Sequence, residues 1–144
     1  MRFMVIVKAN KDSEAGVLPD PTIFELMGKY YKKLVEAGVM LAGEGLAPSS
    51  KGKPVKFDGD ERTVINGPFS ETDQFVAGFW LWKADSMDEA VEWLKRAPFG
   101  GGVEIEIRPI MEFQDFGDQI SPELIEHEKR LRARTEQLAE NTKQ

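Results

Sequence analysis

The chain contains no cysteine and only one histidine, His127. The first absence excludes a disulfide framework, thiolate catalysis and cysteine-held zinc or iron–sulfur centres. The second excludes a catalytic triad, a two-histidine zinc site and a histidine-rich non-haem iron site. No metal and no cofactor are implied. Long apolar runs are lacking too: nothing approaches the eighteen or so residues that cross a bilayer, and the N-terminal apolar stretch, interrupted by Lys8, is too short for a secretory leader. A soluble cytoplasmic protein with no membrane partner is expected. Positive charge is scarce, with 19 Lys and Arg against 25 Asp and Glu, a net charge of -6. The segment from residue 121 onward holds 5 of each sign, so the acidic excess lies ahead of it. Such a surface repels phosphate backbones, because nucleic-acid affinity comes mainly from Lys and Arg displacing counterions. No nucleic-acid partner is expected.

What is present fits one domain with a tail, since 144 residues can bury one core and not two. Residues 2–9 are apolar on both alternations, as a strand covered on both faces must be, and predict a central strand. Ile23, Leu26, Met27, Tyr30 and Leu34 recur at three and four, predicting an amphipathic helix with Asp20 as N-cap, Pro21 in its first position and an end at Gly38. A second strand follows over Val39 to Leu46. Then come a ribbon through Pro54–Phe57 and Arg62–Ile65 and a turn at Asn66-Gly67-Pro68. Phe75 to Ala84 reads as the other central strand. Ser86 and Glu89 form a capping box for a second helix ending at Pro98. Gly100 to Gly102 make a turn, and Val103, Ile105 and Ile107 alternate with Glu104, Glu106 and Arg108 in an edge strand with one wetter face. Ser121, Pro122 and Glu123 open a last helix with leucines 124, 131 and 138 seven apart.

The order strand, helix, strand, ribbon, strand, helix, strand is the ferredoxin-like split βαβ plan of an α+β domain. With both helices on one sheet face, Met4, Ile6 and either Gly78, Trp80 and Trp82 or Phe79 and Leu81 must be hidden on the other. A face that apolar calls for cover, and a second copy of the chain packed sheet to sheet around a shared cavity is the expected partner. The domain is expected to span residues 1–113, with 114–144 forming a linker and an amphipathic helix.

Two places could carry chemistry. Glu44 is a carboxylate in the small, apolar strand Met-Leu-Ala-Gly-Glu-Gly-Leu; turned to a cavity it would serve as a general base or acid, and turned outward it is a solvated charge. The loop from Asn66 to Asp73 gathers turn formers, backbone donors and two carboxylates ahead of a central strand. Elsewhere the plain readings prevail: His127 packs on the stripe of the last helix, Glu104, Glu106 and Arg108 are solvated or self-paired, and Asp58 to Glu61 form a hairpin tip.

Asn66-Gly67-Pro68-Phe69-Ser70-Glu71-Thr72 resembles the Asp-Gly-Pro-Phe-x-Glu-Thr signature of the DGPF branch of YCII-related proteins. Ala42 to Leu46, Gly78-Phe79, Ser86 to Trp93 and Val103 to Ile110 are similar to segments that the family carries in the same order. The resemblance covers about residues 1–113. It implies a dimeric ferredoxin-like α+β barrel of bacterial origin, a cleft near the signature loop with Asn66, Gly67, Pro68, Phe69, Glu71 and Thr72 as ligand contacts, and, in many relatives, genes beside extracytoplasmic-function sigma factors. It implies no defined reaction. In the wider YCII group a histidine and an aspartate are proposed as an acid–base pair; here the first helix has no histidine and Asn66, which cannot take up a proton, replaces the signature aspartate. Asp73 stands where relatives often carry lysine. Three functions compete on this reading: a small-molecule-binding or accessory protein, with a link to sigma-factor regulation, using a cleft of the dimer; a cofactor-free enzyme for proton transfer or hydrolysis with Glu44 as base; and a structural dimerisation module.

Overall fold

The computed structural model describes residues 1–66 and 75–142. Its main sheet has four antiparallel strands, β1 (Arg2–Lys8), β2 (Met40–Gly45), β5 (Val76–Lys83) and β6 (Ile105–Pro109), in the order β2-β5-β1-β6. The two strands that read as apolar on both alternations are the central pair, and the wetter two are the edges. With the ribbon of β3 (Val55–Asp58) and β4 (Glu61–Val64) set apart in its own two-stranded sheet, this is the expected ferredoxin-like topology. The helices are α1 (Lys11–Glu14), α2 (Pro21–Glu36), α3 (Met87–Lys95) and α4 (Pro122–Thr142).

Local chemistry sets the limits of each element. The Asp20 carboxylate accepts from the Thr22 N–H at 2.8 Å, which caps α2 and lowers the Asp20 pKa. At the other end Gly38, at φ +72°, lets Val39 N–H reach the Leu34 carbonyl and its own N–H reach Val35, closing the helix in a Schellman motif. Ser86 caps α3 by accepting from the Glu89 N–H, while the Glu89 carboxylate accepts from the N–H of Asp85, one residue outside the expected box. The edge strand β6 begins at Ile105 and not at Val103: the turn ends at Gly102, at φ +82°, and Val103 and Glu104 lead into the strand without pairing in it. Helix α1 was not expected; its signal is the reciprocal pair Asn10 and Ser13, each side chain accepting from the other's backbone N–H.

Residues directly opposite in paired strands share a face. Phe3 pairs with Trp82, and Val5 with both Trp80 and Ile107, so these side chains look toward the helices. Val5, Tyr30, Leu34, Val39 and Trp82 form one buried cluster; Phe3, Ala84 and Ala90 form another. Met4 pairs with Leu81 and Ile6 with Phe79 on the opposite, open face. The alternative left open by the sequence is thus decided in favour of Phe79 and Leu81.

Two compact units divide at Ile110/Met111. In the second, Arg132 of α4 lies over the Phe113 ring at 5.2 Å and pairs with Glu112 at 3.8 Å, binding the helix to the turns that precede it. No helix among the described residues is long and apolar enough to cross a membrane.

Removing residues 121–144 should leave a folded core with an unchanged near-ultraviolet spectrum, since all four main strands precede Ser121; an insoluble or unfolded product would make α4 part of that core. A pH effect follows from Tyr30, whose hydroxyl donates to the Trp93 carbonyl at 2.7 Å and which is only 5% exposed. Burial pushes its phenol up to about 12, against a weaker opposing pull from Arg96. The folded state holds the neutral phenol, so this stability is fully present below the unfolded pKa near 10 and is lost as pH rises toward 12. Unfolding free energies from urea titrations at pH 9 to 12 should therefore fall further for the native chain than for Tyr30→Phe, by on the order of 2 kcal/mol.

Candidate functional site

Where β2 lies against β5 the paired strands carry three glycines. Gly43 is opposite Trp80, and Gly45 is opposite Gly78. A Cβ on Gly43 would stand 2.5 Å from the Trp80 ring, and a Cβ on Gly78 would stand 2.9 Å from the Glu44 carbonyl oxygen. Neither position has room for a side chain, which is how strand glycines mark a close approach. Gly45 differs, because a Cβ there would meet none of the described residues within 4 Å.

A cleft of about 450 Å³ lies along this bare backbone, on the helix-bearing face. Met27 and Tyr31 of α2 border it from one side, and Val7, Trp80 and Phe99 from the others. Trp80 is fixed in place: its ring stacks on that of Trp82 at 5.6 Å and 8°, and Phe99 leans against it at 6.1 Å. Among the described residues of the lining, Glu44 is the charged one. It borders the cleft through its strand, while the register that pairs it with Phe79 carries its side chain to the open face with Ile6. In the single chain it is exposed.

A second cleft, about 500 Å³, lies near the start of β5, beside Leu46, Pro48, Phe75 and Val76. Here the hydroxyl and the backbone N–H of Ser49 both donate to the Glu14 carboxylate, the N–H at 3.2 Å. Glu14 of α1 thereby ties down the segment that follows β2. Sequence reasoning missed this pair, since 35 positions separate the two residues and only the Asn10–Ser13 box hints at the helix that presents Glu14. On the open face, Glu106 lies 3.7 Å from both Lys8 and Arg108, the self-pairing expected of that strand.

Of the loop residues expected to contact a ligand, Asn66 is exposed at the end of the ribbon and borders neither of these clefts. Gly67, Pro68, Phe69, Glu71 and Thr72 lie outside the described residues. Where the described chain resumes, the Phe75 carbonyl accepts from the Ala9 N–H at 2.7 Å, at the margin of the second cleft. His127 is exposed on α4 and packs in no core cluster.

The model of the YCII-related domain matches residues 1–114. An uncharacterised protein of Rhizobium meliloti (strain 1021) is 29% identical over 76 residues, a stretch that spans 53% of this chain and 61% of that protein. Among solved structures, the 5-chloro-2-hydroxyhydroquinone dehydrochlorinase of Burkholderia phenoliruptrix, in complex with 2,5-dihydroxybenzoquinone, is similar with a TM-score of 0.45 and 14% identity. That likeness covers 80% of this chain and 98% of the dehydrochlorinase.

Because the clash at Gly78 is with backbone and cannot be relieved by a rotamer change, Gly78→Ala should destabilise the fold by about 1–3 kcal/mol in urea denaturation. Gly45→Ala, which meets none of the described residues, should not destabilise the fold and should raise its stability by up to about 1 kcal/mol.

Proposed function

The chain belongs to the YCII-related family, and from that premise we propose that it is a small-molecule-binding or accessory protein of the DGPF branch, working as a homodimer. The observation that carries this is the cleft between α2 and the β2–β5 glycines: a concave, mostly apolar site of the size that small ligands occupy. Its described lining offers one phenol, Tyr31, with Glu44 bordering it through the backbone, and no histidine, lysine or arginine side chain for acid–base work. Binding without turnover suits such a lining, and it is compatible with a link to sigma-factor regulation, given the gene neighbourhood of many relatives.

The dimer is supported by the open face. Met4, Ile6, Phe79 and Leu81 stand side by side on the two central strands and are only partly buried within one chain. A second copy is the cover that this face fits, since its apolar centre is continuous across both strands. The same closure favours a second reading, in which Glu44, directly opposite Phe79, is drawn out of water by the partner and serves as a general base.

A fragment screen followed by amide chemical shifts should place ligands at Gly43, Gly45 and Gly78; hits confined to other parts of the chain would sink the binding reading. Light scattering should return twice the 16.2 kDa chain mass, and Ile6→Glu should return the monomer by setting a second carboxylate beside Glu106 on the buried face. A native chain that is monomeric at micromolar concentration rules the dimer out. For any compound that is turned over, Glu44→Gln should lower the rate about a hundredfold or more if Glu44 is the base. An unchanged rate leaves Glu44 without a catalytic role.

A further inference from the structure

The geometry points to a flat, uncharged aromatic ring as the ligand class of the β2–β5 cleft, with Gly45 as the residue that keeps its place clear. This rests on the reading of that cleft as a ligand site and specifies what the site selects. Glycine in a strand costs roughly 0.5–1 kcal/mol relative to alanine, so each strand glycine needs a physical reason. Gly43 and Gly78 have theirs in the Trp80 ring and the Glu44 carbonyl. Gly45 has none among the described residues: its φ lies outside the left-handed region, and a Cβ would touch none of them. Its missing side chain faces the cleft, next to Gly78, so that the floor there is bare peptide on both strands.

A floor without side chains admits a planar group at close range and gives a bulky, puckered one no added contact. The wall beside it is aromatic and rigid, since Trp80 is held between Trp82 and Phe99 and can meet a ring by stacking or by its edge without first being ordered. Met27 adds a polarisable, adaptable contact from α2. Charge makes the second selection. No cation stands among the described lining residues, and Glu44 borders the cleft through its backbone with its carboxylate on the other face, so a carboxylate or phosphate would lose hydration with nothing to replace it. The Tyr31 hydroxyl is the polar group available to orient a neutral ring.

The test compares three probes on the full-length chain: 2-naphthol, which is flat and neutral at pH 7; 2-naphthoate, the same ring with a carboxylate; and decahydro-2-naphthol, of similar size but puckered. Amide shifts locate each probe and titration calorimetry gives its affinity. The expected result is that 2-naphthol moves the Gly43, Gly45 and Gly78 amides and binds at least tenfold more tightly than either of the others. Gly45→Val should weaken it tenfold or more with no fall in the urea midpoint, and Gly45→Ala, a smaller plug, should give the same direction should the valine chain fail to fold. If all three probes bind at these glycines with equal affinity, the ligand class is overturned and the site stands. If no probe moves these amides, or if Gly45→Val and Gly45→Ala bind 2-naphthol as the native chain does, the assignment of the cleft itself is overturned.

Discussion

Strand β2 can lie against β5 only because Gly43 and Gly78 carry no side chains. With a Cβ on either, the Trp80 ring or the β2 backbone would have to move. That close approach leaves Trp80 room to stack on Trp82, and Trp82, fully buried with Phe3, Val5 and Leu34, is the largest side chain of the core. The stack is kept although the Trp82 indole N–H finds no partner among the described residues, a cost on the order of 1–3 kcal/mol that aromatic packing must outweigh. The strand edge, the core and the cleft are thus three consequences of one steric condition.

The same sheet gives the molecule two unlike faces. Helices α2 and α3 cover the side that carries Phe3, Val5, Trp80 and Trp82, and their amphipathic stripes supply Tyr30, Leu34 and Ala90 to it. The other side alternates an apolar centre with charge at its borders, Glu44 on β2 and the Lys8–Glu106–Arg108 group toward β6. An apolar centre rimmed by charge is how association surfaces are built, with desolvation concentrated at the middle. The cleft and this face lie on opposite sides of one sheet and share strand β5.

Much of the fold was legible because its signals are local. Asp20 and Pro21 at the start of α2, Gly38 at its end, and the double alternation of residues 2–9 and 75–84 each specify backbone geometry or burial within a few residues. Glu44 was singled out as a charge in an apolar strand, but alternation alone could not say which face it took, because a one-residue slip exchanges the faces. The Gly43–Trp80 and Gly45–Gly78 pairs were beyond the sequence for the same reason: they depend on the register of β2 against β5, including an irregularity between Met40 and Ala42. Glu14 and Ser49 belong to segments that meet only in the folded chain.

By itself, then, the sequence determined the order of the four main strands and the longer helices, the N-cap of α2, the central and edge roles of the strands and the exclusion of cysteine chemistry, since each is a matter of composition or of short-range periodicity. Only the tertiary structure decided that Phe79 and Leu81, not Trp80 and Trp82, form the open face, that the cleft lies on the helix side over a floor of glycines, and that the Glu44 side chain stands on the other. The physical reason is that faces and clefts are set by register between strands distant in sequence, and register is fixed by the sum of packing across the whole sheet.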